Sequence, residues 1–119
     1  IGGRPDDADY SAAQQLSFLL ENLDELRDMR DKLVVAGVEV NRYACHGNAW
    51  SIYFHDPEEN YLELYVHTPW YVPQPYGVDL DLDESNDEIL RKTEALCRKD
   101  PGFMMETDRK VKARETMLN

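Results

Sequence analysis

The stretch from Trp50 to His67, WSIYFHDPEENYLELYVH, constrains the fold most, because apolar and polar residues alternate on both sides of a short polar break. A side-chain period of two indicates strands, and Asp56-Pro57 followed by Asn60 is typical of a tight connection. The stretch therefore predicts a β-hairpin with one apolar face. The other face carries Tyr53, Glu63 and Tyr65, and a carboxylate in the middle of a β-rich strand is unusual unless it is solvated or used.

Regular elements are also predicted upstream of this hairpin. Residues 14–21 alternate and indicate a strand, and Asn22 with Glu25 three residues later is typical of a helix N-cap. The helix should end at Gly37, with a further short strand over residues 38–43. The order strand, helix, strand, strand, strand over residues 14–68 predicts an α+β fold, in which the helix covers one face of a four-stranded sheet.

The flanking segments are predicted to be simpler. Residues 1–13 indicate a linker or arm, and residues 69–84 a Pro-rich connector whose VDLDLDES run is too short to assign as a strand. Residues 85–119 form a C-terminal helical extension, which starts at a Ser85/Glu88 capping box and pauses at Asp100-Pro101-Gly102. From about Thr107 the chain is charged and has no clear apolar face, which predicts a frayed end.

Composition excludes several classes of partner. The 119 residues suit one domain, and 24 acidic against 13 basic residues give a net charge of −11, which repels nucleic-acid phosphates and anionic lipids. There is no apolar run of about 18 residues to span a membrane, and no signal-peptide pattern. Cys45 and Cys97 lie far apart, which favours free thiols in a reducing compartment. We therefore expect a cytoplasmic protein.

Four side chains are candidates for chemistry, each with a plainer alternative. The carboxylate of Glu63 suits a hard or borderline divalent cation, although it could equally be a solvated strand residue. Gln15 offers a neutral oxygen or simply a polar lining. His46 would suit proton transfer if its turn folds over the sheet, and would otherwise be exposed to solvent. Tyr53 could donate to an oxyanion or merely fill space.

The run HGNAWSIYFHDPEENYLELY, preceded by QLSFLLENLDEL and VAGVEV, resembles the vicinal oxygen chelate superfamily over about residues 14–68. That superfamily includes glyoxalase I, extradiol ring-cleavage dioxygenases and the fosfomycin and bleomycin resistance proteins. The resemblance is greatest to the extradiol branch, in which a His-Gly loop, a strand Tyr and a following strand Glu recur in this order. It implies a βαβββ module that forms half of a cup, with a second module closing the other half.

Carried over to this sequence, the resemblance implies that Glu63 is the metal carboxylate and that Gln15 occupies the first-strand ligand position. His46 and Tyr53 fall where dioxygenases place proton-handling groups that contact the substrate. Extradiol enzymes have His at the position of Gln15, whereas glyoxalase I uses Gln among its ligands. The hairpin usually reads DPxGN, but here Glu59 takes the Gly position, which costs about 1 kcal/mol if φ is positive.

These observations predict a metal-dependent enzyme, most similar to an extradiol dioxygenase acting on a catechol-like or other vicinal-oxygen substrate. The implied cofactor is Fe²⁺ or Mn²⁺, or Zn²⁺ or Ni²⁺ if the enzyme is an isomerase or lyase of the glyoxalase type. The alternative is a metal-free binding protein of the bleomycin-resistance kind, whose aromatic hollow would use Trp50 and Tyr65 to contact the ligand. Because the chain begins with Ile and holds one module, we expect the other from a preceding segment or from a second copy in a homodimer.

Overall fold

A computed structural model describes residues 15–74 and 76–118 of the chain. The predicted linker over residues 1–13 lies outside the described residues, as does Gln14 at the start of the first predicted strand. The elements are, in chain order, β1 (Gln15–Leu19), α1 (Leu23–Val35), β2 (Val40–Cys45), β3 (Ala49–His55), β4 (Tyr61–His67), β5 (Trp70–Tyr71), β6 (Val78–Asp79), α2 (Asn86–Cys97), β7 (Met104–Met105) and α3 (Glu106–Leu118).

The main sheet is mixed and has the strand order β1-β4-β3-β2-β6. Strand β1 runs parallel to β4, and the other neighbours are antiparallel. The predicted hairpin is confirmed as β3 and β4, and the fold is α+β. The prediction of four strands was wrong by one, since the VDLDLDES run supplies β6, where Asp79 pairs with Ala44. Two residues are too short a stretch for a periodicity to be read from sequence.

Helix α1 begins and ends where the sequence predicted. The Asn22 side chain accepts a hydrogen bond from the Glu25 backbone nitrogen at 2.9 Å. The chain leaves the helix through Gly37, whose φ of +78° is the left-handed conformation that favours glycine. Leu23 and Leu26 bury the apolar stripe of this helix against the sheet.

Helix α2 packs into the same core, so the C-terminal extension completes the fold. Its cap is the predicted one, with Ser85 accepting from the Glu88 backbone nitrogen at 3.2 Å. The buried Thr93 hydroxyl accepts a hydrogen bond from the Trp50 indole at 2.9 Å, which ties α2 to β3. The core residues from the sheet, the connector and both helices are Leu23, Leu26, Cys45, Trp50, Ile52, Phe54, Leu64, Val66, Trp70, Val72, Leu82, Ile89 and Cys97.

Helix α3 replaces the frayed end that the sequence predicted from about Thr107. This helix has no apolar stripe, and a contact of one charged side chain with β5 helps to attach it. Arg109 pairs with Glu106 one turn earlier, and its guanidinium lies 5.1 Å from the ring centroid of Tyr71 on β5. Helical periodicity in apolar residues cannot reveal an attachment of this kind.

Both cysteines are free, as predicted, and the structure buries both. Burial, together with nearby Cys45, raises the pKa of the Cys97 thiol to about 11, so this thiol is protonated at neutral pH. None of the helices in the described ranges combines the length and apolarity that crossing a lipid bilayer requires.

Candidate functional site

The candidate site lies on the face of the sheet that points away from α1 and α2. Strand register places four polar residues in one row across this face. Arg42 pairs with Tyr53, Tyr53 pairs with Glu63, and Glu63 pairs with Ser17. Because neighbouring strands lie about 4.8 Å apart, the row brings side chains from four strands within reach of one small molecule.

The Glu63 carboxylate is held by four hydrogen bonds. Its Oε1 accepts from Gln15 Nε2 at 3.0 Å and from Ser17 Oγ at 2.8 Å. Its Oε2 accepts from Ser51 Oγ at 2.7 Å and from Tyr53 OH at 3.0 Å. All four donors are neutral, so they fix the orientation of the carboxylate without cancelling its charge. The structure therefore brings together the predicted residues Glu63, Gln15 and Tyr53.

The predicted residue His46 continues this network. Its Nε2 lies 2.7 Å from Tyr53 OH, and its Nδ1 lies 2.9 Å from the backbone oxygen of Tyr76. Since a carbonyl oxygen only accepts, we assign a hydrogen to Nδ1. The single hydroxyl hydrogen of Tyr53 then serves either His46 or Glu63. An added proton on Nε2 would let both contacts be hydrogen bonds, so the three groups form a path for one proton.

Tyr53 is the central member of this path and stays a phenol at neutral pH. Burial, reinforced by the hydrogen bond to Glu63 and by the charge of that carboxylate, raises the pKa of Tyr53 to about 12. Only 9% of the residue is exposed, and its ring stacks on Tyr61 at 5.6 Å. A rigid hydroxyl of this kind can donate a hydrogen bond to a negative oxygen.

The turn that carries His46 is fixed by Thr68, directly after β4, and by the following segment, which the sequence analysis described only as a connector. Gly47 has a φ of +80°, and a Cβ there would lie 2.3 Å from a Val72 methyl carbon. Thr68 Oγ1 donates to the Gly47 carbonyl at 2.6 Å, and Gln74 Nε2 donates to the His46 carbonyl at 2.9 Å. These contacts hold the imidazole over the sheet.

Two residues predicted to contact substrate fall in different places. Tyr65 lies on the Glu63 face, partly exposed, with its ring edge-on to His67 at 5.6 Å. Trp50 lies on the opposite face, 3% exposed and hydrogen-bonded to Thr93 in the core. The structure therefore does not bring Trp50 to the site, because its strand position faces the helices.

Arg42 is a site residue that the sequence analysis missed. Val40 pairs with Phe54 but Arg42 pairs with Tyr53, so two residues of β2 oppose one residue of β3. This irregularity is a β-bulge, and it turns Arg42 toward the Tyr53 face. The signal was the polar pair Asn41-Arg42, which interrupts the alternation of the strand.

An open hollow of about 700 Å³ lies beside His46, whose Nε2 contacts Tyr53 OH. Its lining residues are Arg42, His46, Gln74, Tyr76 and Gly77. Four of these side chains carry a polar or charged group, and one of them, Arg42 on β2, also belongs to the row of site residues. It is large enough for a small aromatic ligand.

The donor atoms fit half of a metal site. Glu63 offers an anionic oxygen, and a rotation of the Gln15 amide would present its oxygen beside it. Within residues 15–74 and 76–118, no three His, Cys, Asp or Glu side chains are grouped so as to hold a metal ion. A complete metal site would therefore need ligands in addition to Glu63 and Gln15.

Comparison of the chain with protein-family models, with curated proteins and with solved structures found no match. The resemblance to the vicinal oxygen chelate superfamily therefore remains a prediction from the sequence.

Proposed function

We propose that this chain is one βαβββ module of a vicinal oxygen chelate enzyme, most similar to an extradiol dioxygenase. The observation that carries the proposal is the Glu63 carboxylate, fixed on the sheet face opposite the helices and adjacent to a hydrogen-bonded Tyr53–His46 pair. The element order from β1 to β4 supports it as well. A second module, from a preceding segment or a second copy of the chain, would cover this face.

Glu63 and Gln15 are the residues of this chain that would hold a divalent ion, Fe²⁺ or Mn²⁺ in the extradiol case. The ion, when bound, would act as a Lewis acid toward vicinal substrate oxygens. Tyr53 would donate a hydrogen bond to a substrate oxyanion, since its own proton is retained at neutral pH. His46 would accept or return a proton through the Tyr53 hydroxyl. Tyr65 would contact the substrate ring.

A metal-free binding protein is the second candidate, and one observation favours it. The four donors around Glu63 already satisfy both carboxylate oxygens without a cation. Tyr53, Tyr61 and Tyr65 would then contact a sequestered aromatic ligand. Gln15 favours a third candidate, an isomerase or lyase of the glyoxalase type with Zn²⁺ or Ni²⁺. The cytoplasmic location inferred from composition remains a prediction for all three.

Metal analysis on protein purified without chelators separates these candidates. We expect a divalent metal that is lost in Glu63→Ala and retained in the control Glu58→Ala, which removes an exposed carboxylate in the hairpin turn. No metal in the wild type, together with unchanged ligand binding in Glu63→Ala, would rule out both enzyme candidates.

Oxygen uptake with catechols then separates the extradiol from the glyoxalase type. An extradiol enzyme should consume oxygen and form a ring-opened yellow product that is absent in anaerobic buffer. A protein that binds metal but gives no oxygen-dependent product would contradict the extradiol assignment. Light scattering would show whether two copies of the chain associate to supply both modules.

A further inference from the structure

We propose that Arg42 binds the carboxylate of a small aromatic acid and so selects acidic over neutral ligands at this site. The ligand would also carry hydroxyl groups that contact Glu63 and Tyr53, and that part of the inference rests on the proposed function. The binding of the carboxylate by Arg42 does not, because it requires neither a metal nor a reaction.

The guanidinium of Arg42 has no ion pair or hydrogen bond with any residue that the structure describes. This contrasts with other arginines of the chain, which contact carboxylates: Arg27, Arg30, Arg91, Arg98 and Arg109. The protein has 24 acidic residues, so potential partners are abundant. An unpaired cation at the wall of a hollow offers a local site for an anion, even though the net charge of −11 opposes the approach of one.

The strand row sets the spacing between Arg42 and Glu63, with Tyr53 between them. Arg42 and Glu63 are two strands apart in the same row, which corresponds to a Cα separation of about 10 Å. A ring with hydroxyl groups at one end and a carboxylate at the other would reach from the Glu63–Tyr53 network to the guanidinium.

The surroundings of Arg42 leave room for this contact. A Cβ added at Gly77 would lie 3.0 Å from Arg42 Nη2, so a larger residue there would crowd the guanidinium, whereas its distance of 3.7 Å to His46 Nδ1 is an ordinary contact. The guanidinium presents a planar set of donors that fits a carboxylate in a bidentate arrangement, which a lysine ammonium cannot reproduce. Since the hollow is open to solvent, we expect the preference to be about tenfold rather than larger.

The test compares two probes that differ only in the carboxylate, catechol and 3,4-dihydroxybenzoate, by calorimetric titration of the full chain. The wild type should bind the acid about tenfold more tightly than catechol. In Arg42→Gln the affinity for the acid should fall to that for catechol, and the affinity for catechol should not change. Arg42→Lys should retain part of the preference. The matched control Arg114→Gln removes an exposed arginine from α3 and should leave the preference intact.

A second variant separates this inference from the proposed function. Glu63→Gln should weaken the binding of both probes in the same proportion, so that the preference for the acid survives. If the protein holds no metal and consumes no oxygen, but the preference depends on Arg42, the proposed function fails and this inference stands. Three results would overturn the inference about Arg42. They are equal affinity of the wild type for the two probes, no binding of the acid, and a preference that survives in Arg42→Gln.

Discussion

Replacing Glu59 with glycine should stabilise the protein, although it removes a side chain from an ordered turn. Glu59 has a φ of +65° and is exposed. A left-handed conformation costs an L-residue about 1–2 kcal/mol, and glycine avoids this strain while losing about 0.5–1 kcal/mol more backbone entropy on folding. The net expectation for Glu59→Gly, taken from the midpoints of these ranges, is therefore a gain of about 0.7 kcal/mol in the free energy of unfolding.

The turn itself should survive this substitution, because Asp56 holds it. Its side chain accepts from the backbone nitrogens of Glu58 at 2.9 Å and Asn60 at 2.8 Å, and its carbonyl accepts from the Glu59 nitrogen at 2.8 Å. None of these contacts uses the Glu59 side chain. The strain is therefore separable from the hydrogen bonds that define the turn.

Glu58→Gly is the matched control, since it removes the same side chain and charge from the adjacent position, where φ is not positive. It should lose about 0.5–1 kcal/mol through backbone entropy alone. For 119 residues, 1 kcal/mol corresponds to about 4 °C in Tm. Thermal and urea denaturation should thus move the two variants in opposite directions. A Glu59→Gly variant no more stable than wild type, or equal shifts in both variants, would refute the reasoning.

Three further expectations concern the site. Ser51→Ala should lower the free energy of unfolding, measured in urea, by about 1.5–3 kcal/mol, because it deletes a fully buried donor to the Glu63 carboxylate. Ser17 is exposed, so Ser17→Ala should lower it by less than about 0.5 kcal/mol. The pKa of Tyr53 is higher in the folded than in the unfolded protein, so the contribution of its hydroxyl to the free energy of unfolding is fully present below pH 10 and is lost as the pH rises to about 12. The difference in stability between wild type and Tyr53→Phe should therefore shrink over that range. Gly47→Ala should lower the free energy of unfolding by about 2–5 kcal/mol, because positive φ is combined with a clash against a buried valine methyl group. Gly37→Ala has positive φ but open space around it, so thermal denaturation should show a loss of only about 1–2 kcal/mol.

The sequence determined those features that depend on neighbours in the chain. The alternation around Glu63 predicted the hairpin and the polar face, because side chains in a strand alternate whatever lies on either side. The caps of α1 and α2 followed from Asn22 and Ser85, whose side chains bond backbone groups three residues away. The departure of Glu59 from the DPxGN pattern also located the strained residue of the turn.

Only the tertiary structure decided which distant residues share the site. A bulge of one residue places Arg42 beside Tyr53, and the connector holds His46 over the sheet through Gln74 and Val72. The Arg109 contact that attaches α3 is equally invisible to apolar periodicity. The physical reason is that periodicity records which face a residue occupies, whereas register, bulges and side-chain pairing between segments are settled only when the whole chain packs.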